Sequence, residues 1–339
     1  MVKLIAEISG NHRGNIGYAK ELIRVCAANG ADAVKLQAYT PDTITLNART
    51  PDFMVEWKGE QISLHDLYTK AHTPFEWFPE LFDYARKLNI YLFASVFDKT
   101  SIDMLEQLNC PAYKIASFEI VDTPLIEYAA KTNKQIFIST GMATLSEIER
   151  AYHTVKRAIP NWAKVSTLTP TFFHCISAYP ATADQSYLGN IPDLARRTQC
   201  NVGLSDHTMT NTAAIAATAL GATHIEKHVT LFPEGDGPDD HFSITPAQLK
   251  LLRQDIDNTR AALSVSYGVR GNEEKSQVFR RSLYFTRHIK TGETITADAF
   301  RSVRPGNGIS PDLAWLLEGK TAKRDIEPNT PVTEKDIFG

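Results

Sequence analysis

The chain has 339 residues, 43% apolar and 22% charged, which suits a folded globular protein and excludes a disordered or fibrous one. Lysine and arginine number 36 against 39 acidic residues, a net charge of −3. With no basic excess to follow a phosphate backbone, a nucleic-acid partner is not expected, and an anionic ligand must be gripped by a local cluster.

The opening residues, Met1-Val2-Lys3-Leu4-Ile5-Ala6-Glu7, hold too short an apolar run for a secretory signal, and no later stretch is suited to span a membrane. A cytoplasmic protein is expected. Its four cysteines, Cys26, Cys110, Cys175 and Cys200, form no CxxC pair and are expected to stay reduced. In chain order, the β-rich runs predict strands over Lys3–Ser9, Ala33–Ala38, Ile90–Ser95, Ala112–Ala116, Gln135–Thr140, Pro170–Ser177, Asn201–Asp206 and Thr223–Val229. Between them lie helical spacings such as Ala19-Leu22-Ile23-Cys26 and Leu125-Ile126-Ala129-Ala130. Start signals mark several helices: Asp122-Thr123-Pro124 before one, Thr144 with Glu147 three residues on before another. Strand–helix alternation forces parallel strands joined by crossovers, and eight such units fit a closed (β/α)₈ TIM barrel over residues 1–265. A doubly wound open sheet fits less well, because no glycine-rich dinucleotide turn follows the first strand. The long connection from Ala38 to Pro74, with Trp57-Lys58-Gly59 within it, reads as an ordered lid.

After a helix near Pro246–Ser264, a polar stretch reads as a linker (266–280). The remainder, 281–339, holds a weak repeat: Arg287-His288-Ile289 through Ile295-Thr296 to Phe300 recurs as Arg324-Asp325-Ile326 through Val332-Thr333 to Ile337. That predicts a small pseudo-symmetric β domain that needs something to pack on.

Polar residues collect at the carboxyl ends of the predicted strands: Glu7, Lys35 with Gln37, Ser95, Lys114 followed by Ser117 and Glu119, Ser139, Ser177 followed by Tyr179, Ser205 with His207, and Glu226 with His228. Parity is consistent, since Lys35 and Gln37, Ser205 and His207, and Glu226 and His228 each share a strand face. Buried unpaired charge costs several kcal/mol, so this gathering implies partners or ligands, at the rim where barrels keep their active sites. Lys35 and Lys114 with the hydroxyls of Ser95, Ser117, Ser139 and Ser205 suit a small dianion. His207 and His228, on consecutive strands about 5 Å apart, can chelate a divalent cation with Glu226 as orienter or extra ligand. The alternative is two imidazoles satisfied by backbone carbonyls. His174 has the opposite parity and reads as structural. Gly237-Pro238-Asp239-Asp240-His241 reads as a turn carrying acids back over the mouth, or as an ordinary solvated turn.

These segments resemble the sialic acid synthase family, most closely its pseudaminic acid synthase branch. The resemblance spans practically the whole chain and rests on Ile5–His12, Asp32–Gln37, Ala112–Glu119, Ser139–Met142, Gly203–Thr208 and Ile225–His228, with Arg304-Pro305-Gly306-Asn307-Gly308 resembling the antifreeze-like (SAF) domain. It implies condensation of phosphoenolpyruvate with an open-chain amino sugar, 2,4-diacetamido-2,4,6-trideoxy-altrose for this branch, to give a nonulosonic acid and phosphate. It implies a divalent metal on His207 and His228, typically Mn2+, with Mg2+ or Co2+ as alternatives. Phosphoenolpyruvate contacts carry over to Lys35, Ser95, Lys114, Ser117, Ser139 and Ser205, and sugar contacts to Glu7, Gln37, Ser177, Tyr179, Asp239 and Arg304. Glu119, Asp239 and Lys114 carry over as catalytic groups. It also implies a domain-swapped homodimer in which Arg304 enters the neighbouring barrel. Ala38–Thr43, Leu67-Tyr68 and Ala71–Pro74 are similar to the pseudaminic branch, whereas Gly237-Pro238-Asp239 is similar to the neuraminic and legionaminic ones. Those acceptors stay open as alternatives, as does a non-catalytic barrel that binds an anion or sugar.

Overall fold

The computed structural model describes residues 1–159, 169–235 and 237–338. In chain order the strands are β1 (Lys3–Glu7), β2 (Ala33–Ala38), β3 (Met54–Trp57), β4 (Glu60–Ser63), β5 (Tyr91–Val96), β6 (Ala112–Ile115), β7 (Gln135–Ser139), β8 (Thr171–Cys175), β9 (Asn201–Asp206), β10 (His224–His228), β11 (Ser282–Phe285) and β12 (Phe300–Val303). Eight of them close into a parallel barrel, β1-β10-β9-β8-β7-β6-β5-β2 around the ring. The expected TIM barrel is therefore observed. Two predicted strands run too far. After Glu7 the Ser9 N–H donates to the Glu7 carboxylate (2.7 Å) instead of to a neighbouring strand, and β8 ends at Cys175, two residues before Ser177.

Alternation explains the barrel wall. On β2, Val34 and Leu36 are fully buried, while Lys35 and Gln37 have the opposite parity and line the mouth. The helices cover the wall with stripes at helical spacing. Helix Ile16–Ala28 buries Ala19, Leu22, Ile23 and Cys26, and its Asn15 cap accepts from the N–H groups of Gly17 and Tyr18. Complete burial of Leu22 and Ile23 stabilises by about 2–3 kcal/mol each. Helix Leu145–Ala158 carries the expected Thr144–Glu147 capping box, and helix Thr123–Lys131 is capped by Asp122. Lower in the barrel, Phe93, Phe137 and Phe173 pack edge to face or tilted, with centroids 5.2 and 5.7 Å apart. Gly203 of β9 leaves room for this plug, since a Cβ there would lie 2.9 Å from Phe173 Cε1 and 2.8 Å from the His224 carbonyl. Lys114 Nζ rests 5.0 Å above the Phe173 ring. The apolar plug thus holds the polar ring up at the carboxyl ends of the strands.

The long connection after β2 is ordered, as its aromatic content predicts. Helix Pro41–Ile44, the hairpin β3–β4 and helix Leu64–Ala71 fill it. The hairpin turns through Lys58 and Gly59, both at positive φ, the geometry that a two-residue loop demands.

Met1–Ser264 forms one compact unit and the residues from Val265 onward a second. The second opens with a 3-10 run, Gly271–Phe279, whose side chains are exposed. Its core joins Leu283, Phe285, Ile289, Ile295, Leu317, Ile326 and Val332. The repeat noted in the sequence has a physical basis there. Ile289 and Ile326, at equivalent positions, exchange both backbone hydrogen bonds (3.0 and 2.9 Å). Among the described residues, no helix is long and apolar enough to cross a membrane.

Candidate active site

A cavity of about 500 Å3 opens at the carboxyl ends of the barrel strands. Lys35, Gln37, Ser95, Lys114, Ser117, Glu119, Ser139, Tyr179, Ser205, His207, His228 and Asp239 all line it. They come from strands and loops all along the barrel sequence; the parallel register brings them level, with Gln37 beside Ser95, Ser95 beside Lys114, and Ser205 beside Glu226. Two expected contacts are placed otherwise. Glu7 does not line the cavity: it is fully buried and pairs with Lys35 at 2.9 Å. Ser177 does not line it either; its hydroxyl is buried facing Gly141. Arg304 lies in the second unit.

Glu226 is the electrostatic hub. Its carboxylate lies 3.2 Å from both Lys35 Nζ and Lys114 Nζ, and it accepts from Ser205 Oγ at 2.9 Å. Burial alone would raise its pKa, but Lys114, Lys35 and the Ser205 hydroxyl outweigh burial and hold it well below the ordinary carboxylate value. For Lys35, burial opposes the charged form, yet Glu226 and Glu7 together push its pKa up. Lys114 moves the other way. Burial dominates, and repulsion from Lys35 adds to it, while Glu226 compensates only in part. Two ammonium groups face two carboxylates, so the ring is charge-balanced, and both lysines are aimed into the cavity.

Beside them stand the two imidazoles, with ring centroids 5.5 Å apart. His207 Nδ1–H donates to the Ile176 carbonyl (2.8 Å), which leaves Nε2 with its lone pair, 3.4 Å from the Ser205 hydroxyl that donates to Glu226. Burial, then the neighbouring His228, push the His207 pKa down to about 3, so the ring is neutral. His228 Nδ1 is buried without a hydrogen-bond partner and lies 3.4 Å from the Asp239 carboxylate. Tyr179 (4.4 Å from His207) and Phe242 (4.8 Å from His228) wedge the rings in place. Two buried imidazoles held side by side, one of them neutral, are the kind of donors a divalent cation takes. Among the described residues, no group of three or more His, Cys, Asp or Glu could hold a metal, so other ligands would have to come from water or substrate.

Glu119 ends the 3-10 turn Ser117–Glu119 after β6. Burial, with Asp122 adding to it and its own backbone N–H and Lys114 opposing, pushes its pKa up to about 7, and its Oε2 has no hydrogen-bond partner. A raised carboxyl pKa means the folded chain binds the proton more tightly than the unfolded one. Stability is therefore lost as pH rises from 4.5 toward about 7. Glu119→Gln should remove that slope, gaining about 1–3 kcal/mol above pH 7 after allowance for solvent screening, readable as melting temperature against pH. Parallel slopes in both proteins would contradict the assignment.

Other lining residues carried no signal in strand parity. Tyr39, Trp57, Leu67 and Tyr68 come from the lid and make an apolar wall, and Cys175 sits beside the Ser117 hydroxyl (3.0 Å). The pair Asp206–Lys227 was also missed as a working part. Both point outward, are buried, and lie 2.7 Å apart. Lys227 also donates to the Thr208 carbonyl, and Asp206 accepts from the Thr208 N–H (2.9 Å). This staple fixes the turn that presents His207. His174, read as structural, bonds the Ser186 carbonyl at 2.7 Å.

A closed parallel barrel with lysines, carboxylates and imidazoles gathered above its strands is the build that barrel enzymes use for their active sites. The chain belongs to the NeuB family, whose profile matches residues 22–267, and a SAF domain profile matches residues 280–337. It is similar to the pseudaminic acid synthase of Helicobacter pylori, at 38% identity over 99% of this chain and 97% of that protein. It is also similar to the N,N'-diacetyllegionaminic acid synthase of Campylobacter jejuni, at 33% identity over 98% of each chain. Among solved structures, the spore coat polysaccharide biosynthesis protein spsE of Bacillus subtilis superposes with a TM-score of 0.66 at 32% identity, covering 100% of this chain and 95% of that one.

Proposed function

We propose that the chain condenses phosphoenolpyruvate with an open-chain 2,4-diacetamido-2,4,6-trideoxy hexose, forming pseudaminic acid and phosphate. The observation that carries this reading is the single cavity in which Lys35, Lys114, His207 and His228 converge. Lys35 and Lys114 hold the carboxylate and phosphate of phosphoenolpyruvate, with Ser95, Ser117, Ser139 and Ser205 as hydroxyl donors. A divalent cation on His207 and His228, manganese by preference, would supply Lewis acidity at the acceptor's carbonyl oxygen. Carbon 3 of phosphoenolpyruvate bonds to the aldehyde carbon, water adds at carbon 2, and the adduct expels phosphate. Glu119, with its pKa raised to about 7, suits the transfer of the proton involved, and Asp239 is the alternative carrier. Gln37 and Tyr179 face the sugar. The lid wall of Trp57, Leu67 and Tyr68 favours a 6-deoxy sugar, whose methyl group gains by burial where a hydroxyl would go unpaired.

The same reading makes the protein a cytoplasmic homodimer in which Arg304 of one subunit reaches the barrel of the other. Phe118, Met142, Tyr187 and Met209, all exposed and all on loops that follow the carboxyl ends of barrel strands, support a covering partner. The test is a phosphate-release assay with phosphoenolpyruvate, Mn2+ and a panel of amino-sugar acceptors. Release with the trideoxy altrose acceptor, stronger than with N-acetylmannosamine, is expected. Release only with a 6-hydroxy acceptor would move the protein to the neuraminic branch, and release with none would overturn the proposal.

A further inference from the structure

Because β1 and β10 are neighbours in the ring, the loops that follow them emerge side by side, although they lie at opposite ends of the barrel sequence. Between those loops sits an ion pair that takes no part in the chemistry above. The Asp240 side chain is fully buried. Its Oδ2 accepts from Arg13 Nη2 at 2.7 Å and from the Gly237 N–H at 2.8 Å, and the Thr230 hydroxyl donates to its Oδ1. Arg13 lies over the Phe232 ring, 4.0 Å from its centroid, and takes a backbone φ of +50° that few non-glycine residues adopt. Gly235 and Gly237 pass so close to the pair that a Cβ at either would collide with it.

The consequence is felt one residue away. Asp239 is held next to two anchors. Asp240, the following residue, is clasped, and the Asp239 carbonyl accepts from Ser243 Oγ (2.7 Å), which in turn accepts from Asn11 Nδ2 (2.9 Å). Asp239 Oδ2 is thereby laid 3.4 Å from His228 Nδ1 and against Gly10, where an added Cβ would be 3.1 Å from that oxygen.

We infer that Asp240, clasped to Arg13, is a positioning residue that sets the Asp239 carboxylate over the mouth of the barrel. This rests on Asp239 meeting the acceptor as proposed above. Arg13 is partly exposed, so its truncation spares the core but leaves the Asp240 carboxylate buried without its cation, and the loop opens to rehydrate it.

The experiment uses the full-length protein with Arg13→Ala, Arg13→Lys, Asp239→Asn and the Arg13→Ala/Asp239→Asn pair. In Arg13→Ala, hydrogen exchange at the Gly237 amide should accelerate while exchange in the barrel strands stays unchanged. Its kcat/KM for the acceptor should fall about tenfold with the KM for phosphoenolpyruvate within about twofold, and Arg13→Lys should recover most of the loss. The pair should be no worse than Asp239→Asn alone, because Arg13 and Asp240 act through Asp239. Unchanged exchange at Gly237 in Arg13→Ala would overturn the clasp. A loss shared equally by both substrates, or one fully additive with Asp239→Asn, would reduce it to general stability. If the unmodified protein releases no phosphate from any acceptor, the functional reading has failed, and the exchange measurement still decides whether the clasp holds the loop.

Discussion

His207→Ala and His228→Ala are each expected to lower phosphate release by about 10²–10³-fold or more while leaving the fold intact. The fold survives because little depends on these rings. Truncating His207 removes the hydrogen bond to the Ile176 carbonyl, worth about 1 kcal/mol, and a long contact (3.4 Å) with the Ser205 hydroxyl, which keeps Glu226 as its partner; His228 Nδ1 has no hydrogen bond to lose. What is lost is one of a pair of adjacent imidazole nitrogen donors. The loss has a readout apart from turnover: Mn2+ titrated into the unmodified protein should bind and yield a bound-ion spectrum, and either variant should bind it at least about tenfold more weakly. Chelator treatment should silence the unmodified enzyme and added Mn2+ should restore it. Full activity of either variant in chelator-treated buffer would remove the metal from the scheme.

Glu226→Leu is expected to cost more in stability than any change at the imidazoles. Removing the hub leaves Lys114 with no carboxylate, while Lys35 keeps Glu7. Breaking a buried ion pair from one side costs about 3–5 kcal/mol, roughly 4–7 °C in melting temperature for a chain of this size. The pH dependence follows with a definite sign. The Glu226 carboxyl is held below its ordinary value in the folded chain, so its stabilisation is present above about pH 4.5 and is lost as pH falls further. Glu226→Leu should therefore flatten the acid limb of the stability curve as well as lower its plateau. A melting temperature within a degree of the unmodified protein would show that the lysines find other counter-charges, and the hub would be discarded.

Much of this architecture is legible in the sequence. Period-two alternation with charges on one parity is hard to satisfy except in a wall buried on one face and polar at one end. Lys35, Lys114, Ser205, His207, Glu226 and His228 could therefore be assigned to one rim from parity alone. Hidden from the sequence were the distances between strands. Glu7 has the right parity for a sugar contact, but register places it beside Lys35 (2.9 Å), where it neutralises a charge instead. Asp206 and Lys227 have the outward parity that usually faces helices, so their pairing depends on β9 and β10 being neighbours. Arg13 and Asp240 are 227 residues apart, and only closure of the barrel makes them adjacent. The aromatic wall of the lid could be expected to be ordered, but its side chains follow a hairpin and a helix with no strand period to reveal which of them turn inward.

One measurement reaches the arrangement of cation and dianion directly. Phosphoenolpyruvate bound to the protein in the presence of Mn2+ should show strong paramagnetic broadening of its ³¹P resonance, because the proposed function puts the ion at His207 and His228 and the phosphate at the lysines, and all four residues line one cavity. Lys114→Met should abolish the broadening by losing the anion, and His207→Ala by losing the ion. Broadening that persists undiminished in both variants would place the two ligands elsewhere and contradict the account.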